Sequence, residues 1–118
     1  MLKFYEYNQN NSRGSFDFDE TAGLTHVVLI EAESSAQADE RARALGIYFD
    51  GVAKGRDCPC CGNRWGKAWV EGTDAPMYYG QPVAEAAAKW GTWMPEGKEI
   101  CVHYLNRPFE WFGVRQIK

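Results

Sequence analysis

The chain has few aliphatic side chains and no long apolar run, and both shortages limit what it can be. Its 118 residues include 16 leucines, isoleucines and valines against 17 phenylalanines, tryptophans and tyrosines. A core in a chain of this length must therefore depend on aromatic rings, which bury large areas. No stretch approaches the roughly 18 apolar residues of a membrane span. The first residues also lack the apolar segment and cleavage site of a signal peptide. We therefore expect a cytoplasmic protein without a membrane anchor.

The chain also lacks a strong net charge. Lysine and arginine number 13 and aspartate and glutamate number 16, which gives a formal charge of −3. This sign is wrong for a general nucleic-acid binder, and the magnitude is too small for a DNA mimic. The low charge and high aromatic content also argue against disorder. We expect one domain over residues 1–118 and no nucleic-acid partner; the oligomeric state is left open.

Local patterns predict an α+β fold, with a mostly antiparallel sheet, two helices and a cysteine-knuckle loop. Ser34 and Gln37 form a capping box before a helix over 35–45, and Gly46 suits its end. Pro82 is placed to start a second helix over 82–90. Alternating or continuous apolar residues predict strands near 2–7, 26–31, 47–49, 100–105 and 109–114. The order of strand, helix and strand over 26–49 suggests a β-α-β unit.

Three of the four cysteines are packed together at Cys58, Cys60 and Cys61, and the fourth is Cys101. Without an export signal, such a cluster is more typical of metal binding or thiol chemistry than of disulfides. The C-P-x-C-G turn can direct two sulfurs at one point. Cys101 and His103 are two apart on a predicted strand, so they share one face. This pattern predicts a structural zinc bound by Cys58, Cys61, Cys101 and His103.

Two other interpretations of the cysteines stay open. Arg56, Arg64 and Lys67 lie near the cluster in sequence and could lower a cysteine pKa, which would make a reactive thiol. Alternatively, the cysteines are structural only, with Cys101 in the core. Cys60 is outside the zinc set or an alternative ligand in it.

A polar loop and an aromatic-acidic segment are the other candidate sites. A nest of backbone amides that binds an anion, with Arg13 as the counter-charge, could be formed by the loop residues Asn10, Asn11, Ser12, Gly14 and Ser15. The alternative is a solvated hairpin turn. Asp50 follows aromatic residues and suits either a turn or a ligand contact. No standard glycine-rich nucleotide loop is present.

Three motifs make the chain resemble a family of small bacteriophage-encoded proteins of unknown function. NNSxGSF begins at Asn10, YFDGV begins at Tyr48, and DCxCCGxRW runs from Asp57 to Trp65. The chain departs from the family pattern at Arg13, where glycine is favoured, and at Asn63, where aspartate is favoured. The segment around His103 is similar too, which favours this histidine over Cys101 as a partner of the knuckle. The resemblance implies an accessory protein in the cytoplasm of an infected bacterium and brings no activity.

Two hypotheses for function follow. The favoured one is a non-enzymatic phage accessory protein, for host takeover or counter-defence, that binds a host protein. It depends on the small size, the lack of a complete catalytic set, and a surplus of interface-type aromatic and arginine side chains. The alternative is a small-ligand or nucleotide-binding protein or small enzyme. Its site would use Asn10, Asn11, Ser12, Ser15, Tyr48, Asp50, Asp57, Arg64 and Trp65. Convergence of these residues on one pocket favours the alternative, whereas an exposed tryptophan patch favours the partner.

Overall fold

The computed structural model describes residues 2–9, 19, 21–25, 27–55, 62–66, 71–78, 81–83, 85 and 100–112. The elements in chain order are β1 (Lys3–Asn8), β2 (Val27–Ala32), α1 (Ser35–Leu45), β3 (Met77–Tyr78), β4 (Gln81–Pro82), β5 (Ile100–His103) and β6 (Glu110–Phe112). In these residues, no helix has the length and apolar character needed to cross a membrane.

The main sheet is mixed. Its four strands follow the order β1-β2-β5-β6, and β3 and β4 form a separate hairpin. The outer pairs are antiparallel, but the central strands β2 and β5 are parallel, with Val27 beside Ile100 and Ile30 beside His103. The prediction of a mostly antiparallel sheet with two helices is wrong, because the centre of the sheet is parallel and α1 is the one helix among the named elements of the described residues. The continuous apolar run in β2 is typical of a strand covered on both faces, as parallel strands usually are.

The predicted β-α-β unit is also wrong in its second strand. Residues 47–49 form no strand, although Ile47 and Phe49 are buried beneath α1. The parallel partner of β2 is β5 instead, from much later in the chain. Of the second predicted helix, Pro82 lies in β4, Val83 and Glu85 have helical backbone, and residues 84 and 86–90 are outside the described residues. In the predicted cysteine-knuckle loop over 54–67, residues 56–61 and 67 are outside them as well.

Helix α1 has the bounds that its capping residues predict. The Ser34 hydroxyl accepts the N–H of Gln37 at 3.1 Å, and the Gln37 side chain accepts the N–H of Glu33 at 2.6 Å. Gly46 ends the helix with a φ of 108°. Ala38 and Ala42 are fully buried. Their small side chains allow the helix to lie close to the sheet.

The sheet separates two apolar clusters. The helix face carries Tyr5, Tyr7, Val28 and Ile30, which pack with α1 and with Leu24, Ile47, Phe49 and Trp65. The hairpin face carries Phe4, Val27, Leu29, Ile100 and Val102, which pack with Tyr78 and Val83. Aromatic rings therefore supply much of the core, as the shortage of aliphatic residues predicts.

Gly23 lies against β5 on the helix face. Its backbone has a φ of 76°, and a Cβ there would be 2.8 Å from His103 Cε1 and 3.1 Å from Cys101 Sγ. The His103 ring also bonds the Gly23 carbonyl, with Nε2 and the oxygen 2.8 Å apart. A carbonyl oxygen only accepts, so Nε2 must be the donor. Only glycine fits this approach without displacement.

We expect Gly23→Ala to lower the free energy of unfolding by about 3 kcal/mol, because it combines left-handed backbone strain with overpacking. Gly55→Ala is the matched control, since Gly55 has the same φ of 76° and no atom within 4 Å of an added Cβ. It should cost about 1 kcal/mol, the backbone part alone. Urea unfolding measures both values. Equal losses would show that the contact with β5 contributes nothing.

Candidate functional site

The described residues beside the three sequence motifs meet in space. Gln9, which directly precedes the polar loop, accepts a hydrogen bond from Arg64 Nη1 at 2.6 Å. Asn63 Oδ1 accepts the N–H of Val52 at 2.8 Å. The end of the cysteine motif is therefore fastened both to β1 and to the turn after Phe49. The spacing of the motifs does not predict Gln9 as a partner, because 55 positions separate it from Arg64.

Arg64 and Trp65 serve the scaffold at this junction. Arg64 is 8% exposed and Trp65 is 1% exposed. Gln9 links Arg64 to the segment before β2, because its Nε2 also donates to the carbonyl of Thr25 at 3.2 Å. Trp65 packs in the helix-face cluster, and its buried indole Nε1 has no hydrogen-bond partner in the described part of the chain. The ligand-binding hypothesis expects these side chains to converge with the polar loop on one pocket, and that convergence stays a prediction because the polar loop lies outside the described residues.

Asp50 behaves as a turn residue. It is exposed, its φ is 58°, and its carbonyl accepts the N–H of Lys54 at 3.0 Å. Tyr48 is partly buried against the helix-face cluster. The other residues of the predicted ligand site lie outside the described residues: Asn10, Asn11, Ser12, Ser15 and Asp57.

Two of the four predicted zinc ligands are placed side by side. Cys101 and His103 are buried on the helix face of β5, with Sγ and Nε2 3.6 Å apart. Typical zinc–sulfur and zinc–nitrogen lengths at a tetrahedral angle put two such ligands about 3.5 Å apart. Cys58 and Cys61 lie outside the described residues. Within the described ranges, no group of three or more histidine, cysteine or acidic residues could hold a metal ion.

The His103 nitrogen nearest Cys101 already has a partner. Nε2 donates to the Gly23 carbonyl, so a metal at this nitrogen would have to displace that hydrogen bond. Burial lowers the pKa of His103, the Gly23 bond opposes this shift, and nearby Arg41 adds to it. The imidazole is therefore neutral near pH 7, which is the form that a metal needs.

A cavity of about 380 Å³ lies beside β1, and the sequence motifs do not predict it. We call it the β1 cavity; its described lining residues are Phe4, Tyr5, Glu6, Asn8, Leu29, Gly66, Glu71, Thr73 and Met77. The strand alternation contains one signal for it. Phe4, Glu6 and Asn8 share a face of β1, so an apolar contact is followed by two polar side chains on the same side.

Glu6 places a partly buried carboxylate in the lining. Its side chain is partly buried opposite Leu29 of β2, and it accepts a hydrogen bond from Asn8 Nδ2. Burial raises the pKa of Glu6, and the Asn8 bond partly opposes that shift. Glu71 adds a second carboxylate, which is exposed. Among the described lining residues no side chain is basic.

The segment 71–74 forms a wall fastened to β1. Phe4 and Thr73 exchange two backbone hydrogen bonds of 2.8 and 2.9 Å. Gly72 lies so close that an added Cβ would be 2.6 Å from Lys3 Cβ. Lys3 and Asp74 form an ion pair at the outer end. These contacts fix the position of the 71–74 segment against β1.

Comparison with known proteins identifies one related group. A family model described as a domain of unknown function matches residues 2–117. No curated protein and no solved structure matches the chain significantly.

We expect Glu6→Gln to stabilise the protein at pH 7, because it removes the desolvation cost of a carboxylate while the amide oxygen can still accept from Asn8. A raised carboxyl pKa means that wild-type stability declines as pH rises from the unfolded value through the folded value. The advantage of the variant should therefore shrink as pH falls to about 4, near the ordinary glutamate pKa.

Chemical unfolding between pH 4 and 7 measures this difference. Glu71→Gln, at an exposed position of the same lining, is the control and should change stability little at any of these pH values. A Glu6→Gln variant that is less stable than wild type at pH 7 would contradict the assignment of a desolvated carboxylate.

Proposed function

Since the chain belongs to the DUF7296 family, a domain of unknown function, we propose a function from its own geometry: it binds a small molecule in the β1 cavity. The observation that carries this proposal is a preformed cavity with an apolar floor and carboxylates in its lining. The cavity volume lies within the range of roughly 300–1,000 Å³ that is usual for ligand pockets.

The lining has the composition of a binding site. Phe4, Leu29 and Met77 offer apolar contact, while Glu6 and Asn8 offer a small number of directed polar groups. Ligand pockets typically combine a largely apolar lining with few polar groups that fix orientation. The hydrogen bonds between Phe4 and Thr73 hold the two sides together, so little ordering is required on binding. The proposal is for binding, without a chemical step.

The predicted host-protein role stays as a second proposal. Its support is the resemblance to phage proteins and one surface arrangement on the β5–β6 hairpin. The guanidinium of exposed Arg107 lies 3.8 Å above the Tyr104 ring, and the Tyr104 hydroxyl donates to Glu110 at 3.1 Å. Tyrosine and arginine are prominent among residues that dominate protein interfaces. In this proposal the protein acts on a host protein in the infected bacterial cytoplasm.

One co-purification experiment tests the two proposals together. Tagged protein is recovered from bacterial lysate, and bound small molecules and proteins are identified by native mass spectrometry. Met77→Trp should reduce the cavity and abolish small-molecule recovery, whereas Met77→Leu preserves volume and apolarity and should retain it. Arg107→Ala should have no effect on the small molecule.

The contrary result is equally specific. Recovery of a small molecule that is unaffected by Met77→Trp would overturn the β1 cavity as the site. A host protein that is recovered in stoichiometric amount, is lost with Arg107→Ala and is retained with Met77→Trp would support the second proposal instead.

We also keep a structural zinc, bound by Cys58, Cys61, Cys101 and His103, as a proposal. Its support is the same-face placement of Cys101 and His103, with Sγ and Nε2 3.6 Å apart; zinc binding at Nε2 would replace the hydrogen bond from this nitrogen to the Gly23 carbonyl. Elemental analysis of protein purified without added metal should give about one zinc per chain, because a tetrahedral Cys₃His set binds one ion. Cys101→Ser should lower that content, while Cys60→Ser should not. Zinc content near zero in the wild type would contradict the proposal.

A further inference from the structure

We infer that the ligand of the β1 cavity is an organic cation, an amine or amidinium group joined to a compact apolar group. This inference depends on the proposed function, because it specifies the chemistry of the same cavity.

The charge of the lining is the first argument. Glu6 and Glu71 are both acidic, and no described lining residue is basic. Lys3 lies on the same strand but is paired with Asp74, which is outside the lining. A phosphate or carboxylate ligand would meet repulsion from both carboxylates. A cationic ligand would meet attraction from both.

The environment of Glu6 is the second argument. The residue lies across from fully buried Leu29, and its described polar contact is the Asn8 amide, which is neutral. A partly desolvated carboxylate is costly unless a positive group pairs with it. A cation entering the cavity would supply this charge, whereas a neutral hydroxyl would supply only a hydrogen bond. Charge-assisted hydrogen bonds are about twice as strong as neutral ones.

The apolar part of the lining indicates that the ligand carries an apolar group beside its cationic group. Phe4 and Leu29 belong to the hairpin-face cluster and Met77 lies in the neighbouring β3, so the cavity is floored by the core itself. Methionine adapts its shape and makes favourable contacts with aromatic rings. A ring or short branched chain beside the cationic group would use this surface. A highly hydrated polyamine without an apolar part would leave it exposed to water.

Three probes share one phenylethyl group and differ in the charge of its substituent: phenethylamine, 2-phenylethanol and 3-phenylpropionate. Each is titrated at pH 7 into the full ¹⁵N-labelled chain, and amide shifts are followed by NMR. We expect the amine to shift the amides of Glu6, Asn8 and Thr73 and to bind at least tenfold more tightly than the alcohol. The propionate should not bind.

Variants of the full chain assign the effect to single groups. Glu6→Gln should weaken amine binding at least tenfold and leave the alcohol unchanged, and this variant is expected to fold well. Glu85→Gln is the charge-matched control, since Glu85 is exposed and outside the described lining, and it should leave the affinity within twofold of wild type. Met77→Trp should block all probes, and Met77→Leu should block none.

Failure of this inference and failure of the proposed function look different. Equal binding of the amine and the alcohol at the cavity, or no effect of Glu6→Gln, overturns the cationic ligand but leaves a ligand-binding cavity. Absence of amine binding also overturns the cationic ligand, and the co-purification result then decides the function independently. Amine shifts that persist unchanged in Met77→Trp overturn the cavity and therefore both.

Discussion

The structure depends on burying β2 from both sides. The side chains from Val27 to Ile30 are at most 1% exposed, so the strand needs a neighbour on each edge and a cover on each face. β1 and β5 supply the edges, α1 with the 21–25 segment supplies one cover, and the β3–β4 hairpin supplies the other. In a chain poor in aliphatic residues, aromatic side chains fill much of both clusters.

The candidate site lies where the described residues leave part of the hairpin face uncovered. Tyr78 and Val83 pack over the middle of the sheet, whereas the outer part of β1 faces the β1 cavity. There the alternation of β1 places Glu6 in a position that an apolar side chain would suit better for stability. Proteins commonly depart from such rules at functional sites. The carboxylate of Glu6 is therefore not needed to stabilise the fold, and this favours a role in binding.

The sequence motifs describe a different region. Arg64, Trp65 and Asn63 join β1, the 50–52 turn and the helix-face core through hydrogen bonds and packing. Arg64 and Trp65 are buried there, whereas Asn63 is exposed and joins the 50–52 turn through its side chain. The Gln9–Arg64 bond connects positions that no local pattern relates, and it brings the motif segments together beside the strand that forms the β1 cavity.

What the sequence determined by itself is local. Helix α1 ends where Ser34 and Gly46 cap it, and strands β1 and β2 follow from their alternating and continuous apolar patterns, because these signals act over a few residues. The tertiary structure alone decided that β5 lies parallel to β2, that Arg64 is buried, and that Glu6 borders a cavity. Each depends on contacts between segments that are far apart in the chain. The packing of the whole core sets the register and burial of these segments, so a short stretch of sequence does not predict them.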